Sequence, residues 1–167
     1  RAACESAAAK LGVKSMRELT TEALLAGREK LSETEFKRAR HAVSEISRVL
    51  ATVEALKDGD FKEVGELINL SHNSLRDDYA VSCPELDHAV EAARSAGALG
   101  SRMVGGGFGG SAIALLRVED VEKARTAITD AFSKAGFFVL SKVSSSSAMI
   151  GGTQYLLFLY KEKGNLI

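Results

Sequence analysis

Between Val104 and Ser111 the chain places five glycines in six positions, Gly105-Gly106-Gly107-Phe108-Gly109-Gly110, a run whose backbone no ordinary sequence can follow. Glycine enters the positive-φ region cheaply and lets a ligand or another segment touch the main chain. Successive N–H groups in such a turn converge on an anion, so phosphate or sugar oxygens are natural guests. The competing reading is a tight turn between two strands. A slack linker would be Gly/Ser-rich and polar, whereas both flanks here are apolar and Phe108 interrupts the run. The loop is therefore expected to be pinned.

Two familiar glycine patterns fail their context tests. Gly105-x-Gly107-x-x-Gly110 matches the dinucleotide fingerprint, which requires a helix immediately C-terminal to it. The segment after Gly110 is instead Ser111-Ala112-Ile113-Ala114-Leu115-Leu116-Arg117-Val118, a short apolar run that reads as a buried strand. A phosphate-binding P-loop needs Lys and then Ser/Thr after the last glycine, and Gly110 is succeeded directly by Ser111.

At 167 residues, with 46% hydrophobic and 26% charged, the chain has the length and composition of one domain with a real core. Lys+Arg and Asp+Glu are 22 each, so no electrostatic footprint for nucleic acid or an anionic membrane exists. Cys4 and Cys83 lie outside any metal-ligand spacing, and neither a metal site nor a disulfide framework is expected. No signal peptide or spanning segment is evident, and the expected location is the cytoplasm. The chain begins at Arg1 inside what reads as a helix, which suggests a fragment.

Along the chain, Ala2, Ala3, Cys4, Ala7, Ala8 and Leu11 give a small-residue helix face ending at Gly12. A second helix is expected from Met16 to Ala26, with Ser15 and Glu18 at capping-box spacing. Ser32 and Glu35 form a stronger capping box, with Leu31 and Phe36 placed to staple the entry. Three apolar columns run on from there: Phe36, Val43, Leu50; Ala39, Ile46, Val53; Ala42, Val49, Leu56. So wide a face must be covered by other elements, and in isolation it predicts an exposed apolar surface. Asp60 and Glu63 start a helix carrying Phe61, Val64, Ile68, His72 and Leu75, which makes a helical hairpin.

The stretch from Ser71 to Asp87 is unusually polar for its place between two apolar helices. Ser82 and Glu85 have capping-box spacing and Pro84 suits a first turn, so Arg76-Asp77-Asp78-Tyr79 is a loop or helix end held on both sides. His72 reads first as a hydrogen-bonded core histidine, and Asp77 and Asp78 beside Arg76 read first as an ion-paired turn. After the glycine loop, Asp120 is expected to cap a helix carrying Val121, Ala124, Ile128 and Phe132, closed at Gly136. A strand is expected over Phe137 to Val143. The class is α+β, with helices covering one face of an antiparallel sheet.

Ser71-His72-x-Ser74-Leu75-Arg76-Asp77-Asp78-Tyr79-x-Val81-Ser82-Cys83-Pro84-Glu85-Leu86-Asp87, with Gly100-Ser101-Arg102-Met103-x-Gly105-Gly106-Gly107-Phe108-Gly109-Gly110 further on, closely resembles the galactokinase family. The glycine segment alone resembles the third motif of the GHMP kinase superfamily; the longer Leu-Arg-Asp-Asp-Tyr string narrows it. Arg38-Ala39-Arg40-His41-Ala42-Val43-Ser44-Glu45 also resembles that family's helix. The similarity runs from Arg1 to about Ser141. Ser111 stands where the family usually has cysteine, and the tail looks unlike the family's usual ending. The expected division is a GHMP kinase C-terminal domain over residues 1–143 and an atypical tail over 144–167.

The resemblance implies transfer of the γ-phosphate of MgATP to the anomeric hydroxyl of galactose. It assigns Gly105, Gly106, Gly107, Phe108, Gly109 and Gly110 to a loop against substrate or ATP phosphate, with Arg102, Ser111, Arg76, Asp77, Asp78 and Tyr79 as further cleft candidates. The family's sugar motif, ATP phosphate loop and catalytic aspartate lie in an N-terminal half not present here. No catalytic or metal-binding residue is therefore expected in this chain, ATP and Mg2+ would be held mainly by that half, and the half itself is an implied partner. Two alternatives share the same C-terminal features. One is a sugar- and ATP-sensing transcriptional co-regulator; the other is a GHMP kinase acting on N-acetylgalactosamine, arabinose or galacturonate.

Overall fold

The structure is a computed structural model and describes residues 1–136, 144–150 and 153–161. Among the described residues six α-helices and four strands succeed one another in the order α1 (Ala2–Leu11), α2 (Thr21–Ala26), α3 (Glu33–Asp58), α4 (Phe61–Ser74), α5 (Pro84–Ser95), β1 (Gly100–Val104), β2 (Ser111–Arg117), α6 (Val121–Ala135), β3 (Ser144–Ile150) and β4 (Thr153–Lys161). The sheet has the order β1-β2-β4-β3, with every neighbouring pair antiparallel. The strand expected over Phe137 to Val143 falls outside the described residues, and β4 is what pairs with β2.

Alternation along β2 decides how the helices stack. Ala112, Ala114 and Leu116 join Leu86, Val90, Met103, Ile128 and the fully buried Phe132 in the largest core, beneath α5 and α6. Leu115 points the other way, as strand pleating requires, and packs with Ala55, Phe61 and Val64 from α3 and α4. Helices thus lie on both faces of the sheet, where the sequence pattern alone places them on one. A satellite core of Ala7, Leu24, Leu31, Phe36, Ala39 and Val43 ties α1 and α2 to the start of α3.

Glycine permits the closest of these contacts. A Cβ on Gly65 of α4 would lie 2.4 Å from the Leu99 carbonyl oxygen, and one on Gly100 of β1 would lie 2.2 Å from the Gly65 carbonyl oxygen. The α4 backbone therefore rests directly on the start of β1, at a separation no side chain tolerates.

The caps divide between confirmation and correction. Ser32 and Glu35 form both halves of the capping box: the Glu35 amide donates to Ser32 Oγ at 3.3 Å and the Ser32 amide to Glu35 Oε2 at 2.8 Å. Glu35 also accepts from Ser6 Oγ at 2.6 Å and from Lys10 Nζ at 2.7 Å, so one carboxylate fastens α1 to α3. Those hydrogen bonds, from Lys10 first, hold its pKa down at about 2. Asp60 caps α4 as expected, accepting from the Glu63 amide at 3.0 Å.

At Ser15 a single 3-10 turn, Met16–Glu18, stands in place of a helix; α2 starts later, with Thr20 Oγ1 as its cap. Ser82 does not cap α5: Cys83 occupies the N-cap, Pro84 opens the helix, and the Ser82 hydroxyl turns to Asp87. Asp120 is drawn from capping by Arg117, whose Nε donates to Asp120 Oδ2 at 2.9 Å.

Candidate functional site: the glycine loop and its seat

The turn between β1 and β2 uses its glycines for distinct reasons. Gly105, Gly107, Gly109 and Gly110 have φ of 102°, 89°, 121° and 104°, whereas Gly106 is not in the positive region. At Gly105 and Gly106 an added Cβ would meet nothing within 4 Å. At Gly107 it would strike Val81, 2.6 Å from its carbonyl oxygen and 2.7 Å from its Cβ. Gly107 is thus committed to an internal contact, and the open approach to the main chain lies at Gly105 and Gly106. The sequence pattern does not distinguish these two surroundings.

The loop is pinned, as its apolar flanks imply, and through the backbone. The Phe108 amide donates to the Val81 carbonyl at 2.7 Å, while the Phe108 side chain is 79% exposed. Phe108 itself takes φ 58°, unusual for a residue with a side chain. Ser111 opens β2 opposite Val104.

Val81 belongs to the second informative stretch. Beyond Ser74 the α4 backbone widens into a π turn over Leu75–Tyr79, so the Leu-Arg-Asp-Asp-Tyr string is a helix end. Ala80, left-handed at φ 54° and ψ 50°, reverses the chain, and the Val81 amide returns to the Leu75 carbonyl at 3.1 Å.

The adjacent carboxylates do separate jobs. Asp77 is exposed and takes a bidentate pair from Arg76, Nε to Oδ1 at 2.8 Å and Nη2 to Oδ2 at 3.0 Å. That guanidinium holds the Asp77 carboxyl below its ordinary range. Asp78 is buried and ignores Arg76; its carboxylate accepts from Arg40 through Nε at 3.1 Å and also through Nη2, and its carbonyl accepts from Arg38 Nη1. Ser74 Oγ donates to Asp78 Oδ2 at 3.4 Å and lies 2.9 Å from His41 Nδ1. The His41 ring stacks on Tyr79 with centroids 4.5 Å apart. Burial pushes the His41 pKa down. Arg38, Arg40 and His41 are visible in the sequence only as part of a family-like string; their meeting with residue 78 is a tertiary fact.

His72 is the core histidine its position suggests. It is fully buried, its Nδ1 accepts from the Met103 amide at 3.3 Å, and its Nε2 lies 3.1 Å from Asp87 Oδ1 without the alignment of a hydrogen bond. Burial lowers its pKa against the pull of Asp87.

Arg102 is an engaged ion pair. Its Nη1 donates to Ser71 Oγ at 2.7 Å and lies 3.5 Å from Glu45 Oε2. Burial alone would raise the Glu45 carboxyl, but hydrogen bonds from Ser71 and Arg48 and the charges of Arg48 and Arg102 hold it low. Arg102 and Val104 of β1 and Val49 and Val53 of α3 line an open groove of about 370 Å³. Among the described residues no group of three or more His, Cys, Asp or Glu is arranged to hold a metal ion, and no helix is long and apolar enough to cross a membrane.

Residues 52–134, which include the π turn, β1, the glycine loop and β2, match the family described as "GHMP kinases C terminal". The chain carries a GHMP kinase C-terminal domain. Its relatives include the galactokinases of Canis lupus familiaris and Homo sapiens, 46% and 44% identical over 151 residues. The galactokinase of Streptomyces coelicolor is 46% identical over 138 residues. The canine alignment covers 90% of this chain and 38% of that protein, and the Streptomyces one covers 81% and 36%. A crystal structure of Lactococcus lactis galactokinase complexed with galactose superposes with a TM-score of 0.78 at 34% identity, covering 96% of this chain and 39% of that one. The chain thus spans well under half the length of the relatives it matches.

Proposed function

We propose that this chain supplies the C-terminal portion of a galactokinase, in which MgATP phosphorylates galactose at its anomeric hydroxyl. The reading is carried by one conjunction: a glycine loop with an open main-chain approach at Gly105 and Gly106, inside a domain whose relatives are named galactokinases. Phosphoryl transfer asks a protein mainly for positioning and charge stabilisation. A wall of backbone N–H groups without side chains serves both, since it approaches phosphate or sugar oxygens closely and does not reorganise when charge develops.

ATP supplies the transferred phosphoryl group. Within this chain the main chain of Gly105 and Gly106 is the part that would meet ATP phosphate or sugar, while Gly107 and Phe108 hold that wall in place against Val81. Arg76, Asp77, Asp78 and Tyr79 shape its support. Arg102, already paired with Glu45, fixes the β1 side of the groove. The principal groups for sugar, ATP and Mg2+ are assigned to an N-terminal half joined to this domain in the cytoplasm.

A coupled ADP-release assay tests this. The chain joined to a galactokinase N-terminal half is expected to release ADP with galactose and ATP, and the chain alone to show background turnover. Turnover by the chain alone, or a folded joined protein without turnover on galactose, would contradict the proposal.

A further inference from the structure

Three nearby side chains of α3, Arg38, Arg40 and His41, converge on the turn at the end of α4. Arg38 donates to the Asp78 carbonyl, Arg40 grips the Asp78 carboxylate with two N–H groups, and His41 stacks on Tyr79 while lying 2.9 Å from Ser74 Oγ. We infer that Arg38 and Arg40 are positioning residues for the glycine loop, because they lock the π turn through Asp78 and the turn carries Val81, on which the loop is seated.

The inference rests on the substrate-facing role proposed for the loop. Arg40 is half-exposed, and an exposed ion pair contributes little by itself. Asp78 is different: its carboxylate is buried, and among the described residues its one hydrogen-bond donor besides Arg40 is the Ser74 hydroxyl at 3.4 Å. Removing the guanidinium would leave a buried carboxylate without a charged partner, and the turn it anchors would open.

The turn has little resistance of its own. A π turn is a wide and uncommon helical geometry, and Ala80 sits left-handed, which a residue with a Cβ disfavours. Both persist because the surroundings hold them. Once the turn shifts, the Val81 carbonyl moves away from the Phe108 amide, and the wall beneath Gly107 moves with it.

Neither arginine touches the loop, so the route through residue 78 makes a specific claim. The readout is hydrogen exchange of the Phe108 amide in this chain, compared with amides of β2 such as Leu116, for Arg40→Ala, Arg40→Lys, Arg38→Ala and the exposed control Arg17→Ala. Local opening is expected to raise Phe108 exchange by on the order of tenfold or more in Arg40→Ala while Leu116 stays protected. Lysine keeps the charge and loses the two-pronged grip, so Arg40→Lys should fall between wild type and alanine. It also provides a milder variant if alanine prevents folding. In the joined kinase the same substitutions should lower kcat more than they raise KM for galactose.

Unchanged Phe108 exchange in folded Arg40→Ala or Arg40→Lys would overturn the inference. Increased exchange with kcat and KM both unchanged would overturn it by a different route, by removing the substrate-facing role of the loop on which it rests.

Discussion

The Phe108 amide donates to the Val81 carbonyl at 2.7 Å, which joins the glycine loop to the end of the Leu-Arg-Asp-Asp-Tyr turn. Two motifs separated along the chain are therefore one structural unit. The Gly107 position decides how tightly they fit. In Gly107→Val the new Cβ would lie 2.6 Å from the Val81 oxygen at a backbone φ of 89°. Strain of that kind costs about 1–3 kcal/mol, equivalent to a loss of at least about 2 °C in Tm for a chain of this size. Thermal unfolding of this chain should show the drop, and a Tm equal to wild type would show that the loop does not rest on Val81.

A second prediction concerns acid stability. Glu35 titrates at about 2 in the fold against an ordinary 4.5, because Lys10, Ser6 and Ser32 donate to its ionised form. Its folded pKa is depressed, so the unfolded chain takes up the proton first as pH falls. The stabilisation is fully present above about pH 4.5 and disappears as pH drops through about 2. Glu35→Gln should lower Tm at pH 7 and flatten the fall in Tm between those limits. Parallel wild-type and variant profiles would remove Glu35 from the acid response.

Much of this is legible in the sequence because local chemistry repeats itself. Ser32 and Glu35, Asp60, Pro84 and the closing glycines Gly12, Gly59 and Gly136 mark helix ends whose donors and acceptors have nearby partners. Two of the corrected caps share a cause: Arg117 competes for Asp120 and Asp87 for Ser82, and spacing alone carries neither competition. The candidate loop is legible from glycine density. Its division into an open pair, Gly105 and Gly106, and a buttressed Gly107 is not, because Val81 arrives from another part of the chain. The Arg40 to Asp78 pair is hidden for the same reason, with Arg76 standing closer in sequence.

The contact of Gly65 with Leu99 and Gly100 makes a third prediction. Gly65→Val would press a branched side chain against backbone, where an added Cβ already falls 2.4 Å from the Leu99 oxygen. Overpacking of this kind typically costs about 1–3 kcal/mol or more. Urea unfolding should show it as a lower midpoint, and a midpoint equal to wild type would mean that α4 is not seated on β1.

The wide apolar face of α3 has a visible outcome. Val49, Leu50, Val53 and Leu56 are 60%, 65%, 42% and 44% exposed. Contiguous apolar surface promotes association. Light scattering of this chain should give a mass that rises with concentration, and the double substitution Leu50→Glu with Val53→Glu should suppress the rise. A concentration-independent monomer would contradict this.

The most direct test of the central claim is Gly106→Ala in the joined kinase, because this position separates folding from substrate approach. Gly106 has no positive φ and an added Cβ meets nothing within 4 Å, so the fold should accept alanine with a change of about 0.5 kcal/mol or less. If the open main chain at Gly105 and Gly106 receives phosphate or sugar, the same methyl group intrudes on a geometry that catalysis holds tightly. A displacement of that order lowers turnover by up to roughly a hundredfold. The measurement is kcat with saturating galactose and ATP alongside Tm. An unchanged Tm with kcat reduced at least about tenfold is the predicted result, and a folded Gly106→Ala enzyme with wild-type kcat and KM would contradict the substrate-facing role of the loop.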